Sequence, residues 1–164
     1  MSKGMEKEST IMFTDMVGYS RLVNTNESKA LALLEEFNTI NFSNIKKYNG
    51  KVIKLIGDSV FAEFDSAYHA IHASIEMQKE IRKRNKLSKK TDYFNMRIGL
   101  HKGKVIVKDN DLFGHTVNLG SRIEGIAPIG GIAISEYTFN DIKGQGDILS
   151  RKIGAIKLKN IKYP

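Results

Sequence analysis

The sequence contains no cysteine, and only two of its 164 residues are proline. Without cysteine the protein cannot form a disulfide framework, a thiolate zinc site, an iron–sulfur cluster or a cysteine nucleophile. No apolar run approaches the ~20 residues of a membrane span, and the first ten residues, MSKGMEKEST, lack the apolar core of a signal peptide. We therefore expect a cytoplasmic protein, or the cytosolic domain of a larger and even membrane-bound one, that makes no membrane contact itself.

Basic residues outnumber acidic ones, 26 to 18, which gives a formal net charge of +8. Lys79–Lys90 carries a net +6 and Lys143–Pro164 a net +5. A basic surface favours an anionic partner such as a nucleotide, a nucleic acid or a lipid, although a solvated helix end is the commoner origin of a run like Lys79–Lys90. The length and the hydrophobic share of 41 % fit one globular domain.

The apolar and β-branched residues predict a succession of strands and helices. The predicted elements are a strand at Ser9–Thr14, a helix at Glu27–Tyr48 capped by Asn26, strands at Lys51–Ile56 and Ser59–Phe64, a helix beginning at Ala67 after a cap at Asp65 or Ser66, a strand at Phe94–His101 that turns at Lys102-Gly103 into Lys104–Val107, a helix at Val117–Ile126, and strands at Gly131–Ser135 and Lys152–Leu158. This order predicts an α+β fold with a ferredoxin-like split βαβ core, in which helices pack on an antiparallel-containing sheet, plus C-terminal additions.

Two aspartates follow strands of this predicted sheet. Asp15 comes directly after the first strand, and Asp58 stands in the two-residue turn between the second and third. The first and second strands run parallel in a split βαβ fold, so both carboxylates should lie at one edge of the sheet. Converging carboxylates can bind a hard dication such as Mg²⁺. Each aspartate considered alone also has a structural interpretation. Asp58 suits a hairpin turn, and Asp15 suits the cap of a helix.

Polar residues on two other elements have a structural and a functional interpretation. Lys54 lies among apolar strand residues. It is interpreted either as an edge-strand lysine that prevents aggregation or as a hydrogen-bond donor to a ligand. Asn118 and Arg122 are four residues apart on one helix face. They are interpreted either as a solvated surface pair or as donors to phosphate oxygens. Asp111 precedes that helix as a loop or cap residue or as a ligand contact.

Three motifs resemble the class III nucleotidyl cyclase catalytic domain, and the resemblance runs from about Ser9 to Pro164. Residues 13–20 (FTDMVGYS) are similar to the family's first metal motif. Residues 54–59 (KLIGDS) are similar to its base-reading lysine and second metal aspartate. Residues 111–122 (DLFGHTVNLGSR) are similar to its base-reading aspartate, glycine, asparagine and arginine.

The resemblance implies an adenylate cyclase, a lyase that converts ATP to 3′,5′-cyclic AMP and pyrophosphate in intracellular signalling. It implies that Asp15, Asp58 and the backbone carbonyl of Met16 bind two Mg²⁺ or Mn²⁺ ions per active site, one activating the ribose 3′-hydroxyl and the other holding the triphosphate. It implies that Asn118 orients the ribose and that Arg122 stabilises the transition state.

The resemblance also implies that Lys159 binds phosphate and that Lys54 and Asp111 read the base. Lys54 is a donor and suits adenine N1, whereas Asp111 is an acceptor and suits the 6-amino group. In similar guanylyl cyclases, residues such as Glu and Cys occupy these positions, so the pair indicates ATP. Active sites in the family form between two chains, and this chain carries both sets of residues, which implies a homodimer.

Two other functions remain as alternatives: a guanylyl cyclase, and a catalytically silent cyclase-like module that binds nucleotide or dimerises. An RNA-binding ferredoxin-like module is disfavoured because Ser59–Phe64 lacks the basic and aromatic pattern of such sheets, so we expect no nucleic-acid partner. We expect residues 1–8 to form a tail and residues 9–164 to form the catalytic domain, cut before its last strand.

Overall fold

The computed structural model of the chain describes residues 4–144. The predicted strands and helices within these residues occur in the predicted order, with a few additional short elements. The strands are β1 (Met5–Met16), β2 (Lys51–Ile56), β3 (Ser59–Phe64), β4 (Met96–Lys108), β5 (Asp111–Phe113) and β6 (Ile132–Ile134), and the helices are α1 (Tyr19–Thr25), α2 (Glu27–Lys47), α3 (Ala67–Lys86), α4 (His115–Gly125) and α5 (Glu136–Phe139).

The strands form one sheet in the order β2-β3-β1-β4-β5, and β6 pairs with β4. The pairings β2–β3, β3–β1, β1–β4 and β4–β5 are antiparallel, whereas β4–β6 is parallel. Strands β1 and β2 therefore run in the same direction with β3 between them. The predicted α+β fold with a split βαβ core is confirmed.

Helices α2 and α3 cover one face of the sheet and enclose the main core. This core includes Phe37 of α2, Met77 of α3 and Met12 of β1. The opposite face carries a second core made of Ile11, Phe13, Phe61, Val105 and Leu112. Since side chains alternate along a strand, β1 contributes to both cores, which explains why residues 9–14 read as a continuous apolar run.

Side-chain caps begin the two long helices as predicted. The Asn26 side chain accepts a hydrogen bond from the Lys29 backbone N–H at the start of α2. The Ser66 side chain accepts one from the His69 backbone N–H at the start of α3. Of the two candidate caps for α3, Ser66 is therefore the one used.

The predicted turn at Lys102-Gly103 is wrong, because β4 continues through both residues and pairs with β1 there. Gly103 instead allows close packing: a Cβ at this position would lie 2.4 Å from Oγ1 of Thr116 on α4. Two predicted boundaries also move. β1 begins at Met5, so residues 5–8 belong to the sheet and not to a tail, and α4 begins at His115.

The tight hairpin between β4 and β5 has no counterpart in the sequence-based prediction. Its two turn residues, Asp109 and Asn110, both have positive φ, 53° and 61°, as a type I′ turn requires. Aspartate and asparagine tolerate this backbone region better than other side-chain-bearing residues. The hairpin folds Asp111 back beside Lys108.

Helix α4 lies equally close to the sheet at two further glycines. A Cβ on Gly120 would lie 2.5 Å from Cδ1 of Ile11, and a Cβ on Gly99 would lie 2.3 Å from the backbone nitrogen of Glu124. Gly120 therefore serves close packing, an advantage that opposes its cost of about 1 kcal/mol in helix propensity. No helix within residues 4–144 is long and apolar enough to cross a membrane. The predicted strand at Lys152–Leu158 lies outside the described residues.

Candidate active site

The structure brings Asp15 and Asp58 to the same edge of the sheet. Asp15 lies near the end of β1, opposite Ser59 of β3, and Asp58 is the residue before Ser59. The backbone N–H of Met16 donates a hydrogen bond of 3.4 Å to the carbonyl of Asp58. Register and turn together therefore hold residues 15, 16 and 58 in one small region, as the topology argument predicted.

The electrostatics of this edge suit a cation. Burial raises the pKa of Asp58 above its ordinary value, backbone N–H groups oppose the rise, and the Asp15 carboxylate adds to it. Oδ1 of Asp15 is shielded from solvent and has no hydrogen-bond donor among residues 4–144. Two facing carboxylates with an unused oxygen fit a hard dication such as Mg²⁺ or Mn²⁺.

Within the part of the chain that the structure describes, no group of three or more His, Asp or Glu side chains could hold a metal ion. A cation at Asp15 and Asp58 would complete its shell with oxygens other than carboxylates, such as a backbone carbonyl, water or a ligand. Mg²⁺ commonly binds in this way, through one or two carboxylates and the phosphates of its substrate.

Lys54 and Asp111 form an ion pair, with Nζ 2.7 Å from Oδ2. Their strands, β2 and β5, are the two ends of the path β2-β3-β1-β4-β5, so the sheet must curl for these side chains to meet. Both are accessible, with 44 % and 23 % of the side chain exposed. The hydrogen bond from Lys54 lowers the pKa of Asp111.

A bulge in β2 places Lys54 and Val52 on opposite faces of the sheet. Val52 pairs with Ala62, but Lys54 pairs with Phe61, so an extra residue interrupts the strand between them. Such a bulge reverses the alternation of side chains. Lys54 therefore shares a face with Phe61 of the second core, whereas Val52 faces the main core.

Helix α4 presents Asn118 and Arg122 to solvent, as their four-residue spacing predicts. The opposite side of the helix is buried through Thr116, Gly120 and Glu124, which also recur every four residues. The helix is thus anchored along one side and offers an amide and a guanidinium on the other. Lys159, the predicted phosphate-binding lysine, lies outside the described residues.

Two charged residues that were not predicted as site residues lie at the edge with Asp15. Arg97 of β4 is the direct cross-strand neighbour of Asp15, and its Nε is buried without a hydrogen-bond acceptor among residues 4–144. Burial raises the pKa of Glu124, and the carboxyl group of Asp15, within hydrogen-bonding reach, adds to the rise. The sequence contains one sign of this role. Glu124 follows Gly120 by four residues and therefore lies on the same, buried side of the helix.

A buried polar chain joins β4 to α5 away from this edge. Nδ1 of His101 lies 2.7 Å from Oγ of Ser135, and that hydroxyl lies 2.7 Å from Oγ1 of Thr138. Ser135 also caps α5. Burial, followed by the charge of His115, lowers the pKa of His101 to about 4. These contacts give His101 a structural role, in which it joins β4 to α5.

The lowered pKa of His101 makes stability depend on pH. The unfolded chain takes up a proton near pH 6.5, whereas the folded protein does so only near pH 4, so stability falls as the pH falls through this window. Between pH 7.5 and pH 5 the loss is about 2 kcal/mol. In urea unfolding, the advantage of the unmodified protein over His101→Gln should shrink by this amount. An equal difference at both pH values would contradict the assignment.

Comparisons with known proteins give a consistent result. The family model described as the adenylate and guanylate cyclase catalytic domain matches residues 1–162. A curated relative from Rhizobium meliloti, "Putative adenylate cyclase 3", is 34 % identical over 167 residues, which cover 98 % of this chain and 28 % of the relative. "Adenylate cyclase" of Streptomyces coelicolor is 29 % identical over 76 % of this chain and 31 % of its own length.

Solved structures share the fold over almost the whole chain. The "Adenylate/Guanylate Cyclase/Hydrolase" from Silicibacter pomeroyi superposes with a TM-score of 0.91 at 28 % identity, covering 98 % of this chain and 94 % of that one. The adenylyl cyclase CyaB from P. aeruginosa superposes with a TM-score of 0.86 at 26 % identity, covering 99 % and 93 %. The chain thus resembles a whole solved domain but spans less than a third of the two curated relatives.

Proposed function

Because this chain belongs to the adenylate and guanylate cyclase catalytic domain family, we propose that it is an adenylyl cyclase, which converts ATP into 3′,5′-cyclic AMP and pyrophosphate. The ribose 3′-oxygen forms a bond to the α-phosphorus. The bond from that phosphorus to the oxygen that bridges to the β-phosphate breaks, so pyrophosphate leaves and the hydroxyl proton is released.

The observation that carries the choice of ATP is the contact between Lys54 and Asp111. It joins a side chain that only donates hydrogen bonds to one that only accepts them. Adenine presents an acceptor at N1 beside a donor amino group, which matches the pair. Guanine presents a donor at N1 beside an acceptor at O6 and would leave both partners mismatched. An unpaired polar group in a binding site costs about 1–3 kcal/mol.

Asp15 and Asp58, with the backbone carbonyl of Met16, are the residues proposed to hold two Mg²⁺ or Mn²⁺ ions per active site. The support is the shared edge, the unused Oδ1 of Asp15 and the raised pKa of Asp58. Bound cations would supply positive charge to the triphosphate and favour ionisation of the 3′-hydroxyl.

The exposed polar side of α4 is proposed to act on the ribose and phosphates. Asn118 orients the ribose through its amide, and Arg122 offers a fixed cation to the charge that develops on phosphate oxygens. Lys159 is proposed to contact the phosphates as well. Asn118 and Arg122 are both exposed, and Arg122 forms no ion pair with another residue of the range 4–144.

The active unit is proposed to be a homodimer with an active site at each end of the interface. Each site would combine Asp15 and Asp58 of one chain with the base-reading pair and α4 of the other. Half-exposed apolar side chains on the two edge strands support a partner surface: Leu55 and Ile56 on β2 and Phe113 on β5 are 48 %, 51 % and 47 % exposed. Exposed apolar side chains that lie together are typical of interaction sites, and the contact of Lys54 with Asp111 brings these two strands together.

The test is a product assay of the concentrated protein with Mn²⁺ and either ATP or GTP. We expect cyclic AMP to be the main product. Lys54→Ala should lower the ATP-to-GTP ratio of kcat/KM about tenfold or more, because the N1 donor is lost. Lys51→Ala, an exposed lysine on the same strand, should keep the unmodified ratio and serves as the matched control.

Two results would overturn the proposal in different ways. Preferred formation of cyclic GMP would make the protein a guanylyl cyclase and remove the role of Lys54 and Asp111 in choosing adenine. Absence of either product from a protein shown to be dimeric and to bind ATP would favour the silent cyclase-like module.

A further inference from the structure

Glu124 places a third carboxyl group at the edge that holds the two aspartates. The residue is 9 % exposed. Oε1 of Glu124 and Oδ1 of Asp15 are both shielded from solvent, and neither accepts a hydrogen bond from a backbone, amide, guanidinium, ammonium or hydroxyl group among residues 4–144. The two carboxyl groups lie within hydrogen-bonding reach of each other, and the charges of Arg97 and Asp58 also act on Glu124.

Packing alone does not explain a carboxyl group at this position. Burying an acid costs free energy unless it is fully paired, and a well-packed apolar side chain of similar size is often neutral or stabilising. Glu124 instead lies beside two other acids, and one of its oxygens has no donor. A buried polar group left unsatisfied in this way requires a separate reason, and perturbed carboxyls of this kind concentrate at functional sites.

The backbone around Glu124 leaves it little freedom to move away from Asp15. A Cβ on Gly99 would lie 2.3 Å from the backbone nitrogen of Glu124 and 2.5 Å from its Cα. Gly99 pairs directly with Phe13 of β1, two residues before Asp15. The last turn of α4 therefore packs directly on the strands close to Asp15. Gly99 permits this packing because it has no side chain.

We propose that Glu124 is a positioning residue that holds the carboxyl group of Asp15 in its cation-binding orientation and ties this edge to helix α4. The inference rests on the proposed function insofar as Asp15 is taken to bind a divalent cation. It extends that function, because the same helix presents Asn118 and Arg122. In the proposed dimer, those two residues serve one active site while Asp15 of the same chain serves the other.

Glu124 would therefore be the direct side-chain link between the two half-sites that one chain contributes. A shift of α4 on binding phosphate at one active site would reach the aspartate of the other through the carboxyl group of Glu124, beside the packing of α4 on β1 at Gly120. The backbone of α4 comes close to β4 beside this contact, at Gly99.

The experiment is a Mn²⁺ titration of the nucleotide-free full chain, followed by electron paramagnetic resonance of the free ion. We compare Glu124→Leu, Glu124→Gln and, as a matched control, Glu35→Gln, an exposed glutamate of α2. Loss of a group that orients a metal ligand typically weakens metal binding about 10–100-fold, and we expect this for Glu124→Leu. Glu124→Gln should bind Mn²⁺ nearly as well as the unmodified protein, since an amide of the same size can donate to Asp15.

Thermal unfolding without metal separates positioning from a structural role. Glu124→Leu should melt at or above the temperature of the unmodified protein, because an unsatisfied buried acid is replaced by an apolar group. Weaker Mn²⁺ binding together with undiminished stability is the expected signature. Glu124→Gln should match the unmodified protein in both measurements, which keeps the test valid if the leucine variant folds poorly.

Three results would overturn the proposal. Unchanged Mn²⁺ affinity in Glu124→Leu would leave Glu124 with a packing role only. Equal loss in the leucine and glutamine variants would make the carboxylate itself a metal ligand. No Mn²⁺ binding by the unmodified protein would remove the metal role of Asp15 as well. Because the titration needs no turnover, missing cyclic nucleotide with intact Mn²⁺ binding would contradict the proposed function alone.

Discussion

Replacing Asp15 by alanine should slow cyclic AMP formation at least about a thousandfold, equivalent to about 4 kcal/mol of transition-state stabilisation. Asp15 and Asp58 are the two carboxylates at the edge proposed to hold the cations, and neither can replace the other. The fold should persist, since the backbone pairing of β1 does not depend on the side chain of Asp15. Turnover with Mn²⁺ and ATP, together with a thermal melt by circular dichroism, measures both parts.

Two further variants make this result specific. Asp15→Asn should be nearly as inactive as the alanine variant, because an amide of the same shape carries no charge for a cation. Asp65→Ala removes an exposed carboxylate before α3 and should leave turnover unchanged. Full cyclase activity in Asp15→Ala would show that the metal assignment is wrong.

Mixing two inactive variants should restore activity. The Asp15→Ala chain keeps an intact α4 and base-reading pair, and the Arg122→Ala chain keeps both metal-binding aspartates. If each active site takes its aspartates from one chain and its arginine from the other, the mixed dimer contains one complete site. Random pairing of equal amounts yields about half mixed dimers, and hence about one quarter of the activity of the unmodified protein at the same total concentration.

The controls for this experiment follow from the same geometry. Each variant alone should stay inactive at any concentration, because every site in its homodimer lacks one group. A mixture of Asp15→Ala with Asp58→Ala, which damage the same half-site, should regain no activity, since the mixed dimer has no complete site. Failure of the first mixture, although both variants are dimeric and exchange subunits, would place all site residues within one chain.

Local patterns in the sequence predicted most of the fold. The helix from residue 27, its cap at Asn26 and the hairpin around Asp58 depend on interactions within a few residues, and the structure has all three. The turn predicted at Lys102-Gly103 failed because the glycine there accommodates Thr116 of α4. Gly103 and Thr116 belong to different elements, and no local sequence pattern predicts how those elements pack against each other.

The same division applies to the candidate site. The neighbourhood of Asp15 and Asp58 follows from strand order alone, because a split βαβ topology places the end of one strand beside the turn of another. The spacing of Asn118 and Arg122 likewise predicted their shared exposed face. These features need only the periodicity of strands and helices, which the sequence displays directly.

The sequence by itself therefore determined the order of the elements, the edge with two aspartates and the polar face of α4. The sequence linked Lys54 to Asp111 only through the family resemblance, and the tertiary structure decided their direct contact and the approach of Glu124 to Asp15. The first contact depends on the curl of the sheet and on the bulge between Val52 and Lys54, and the second on the close approach of α4 at Gly99. Curl and helix approach arise from twist and packing summed over many residues, so no single segment of the sequence encodes them.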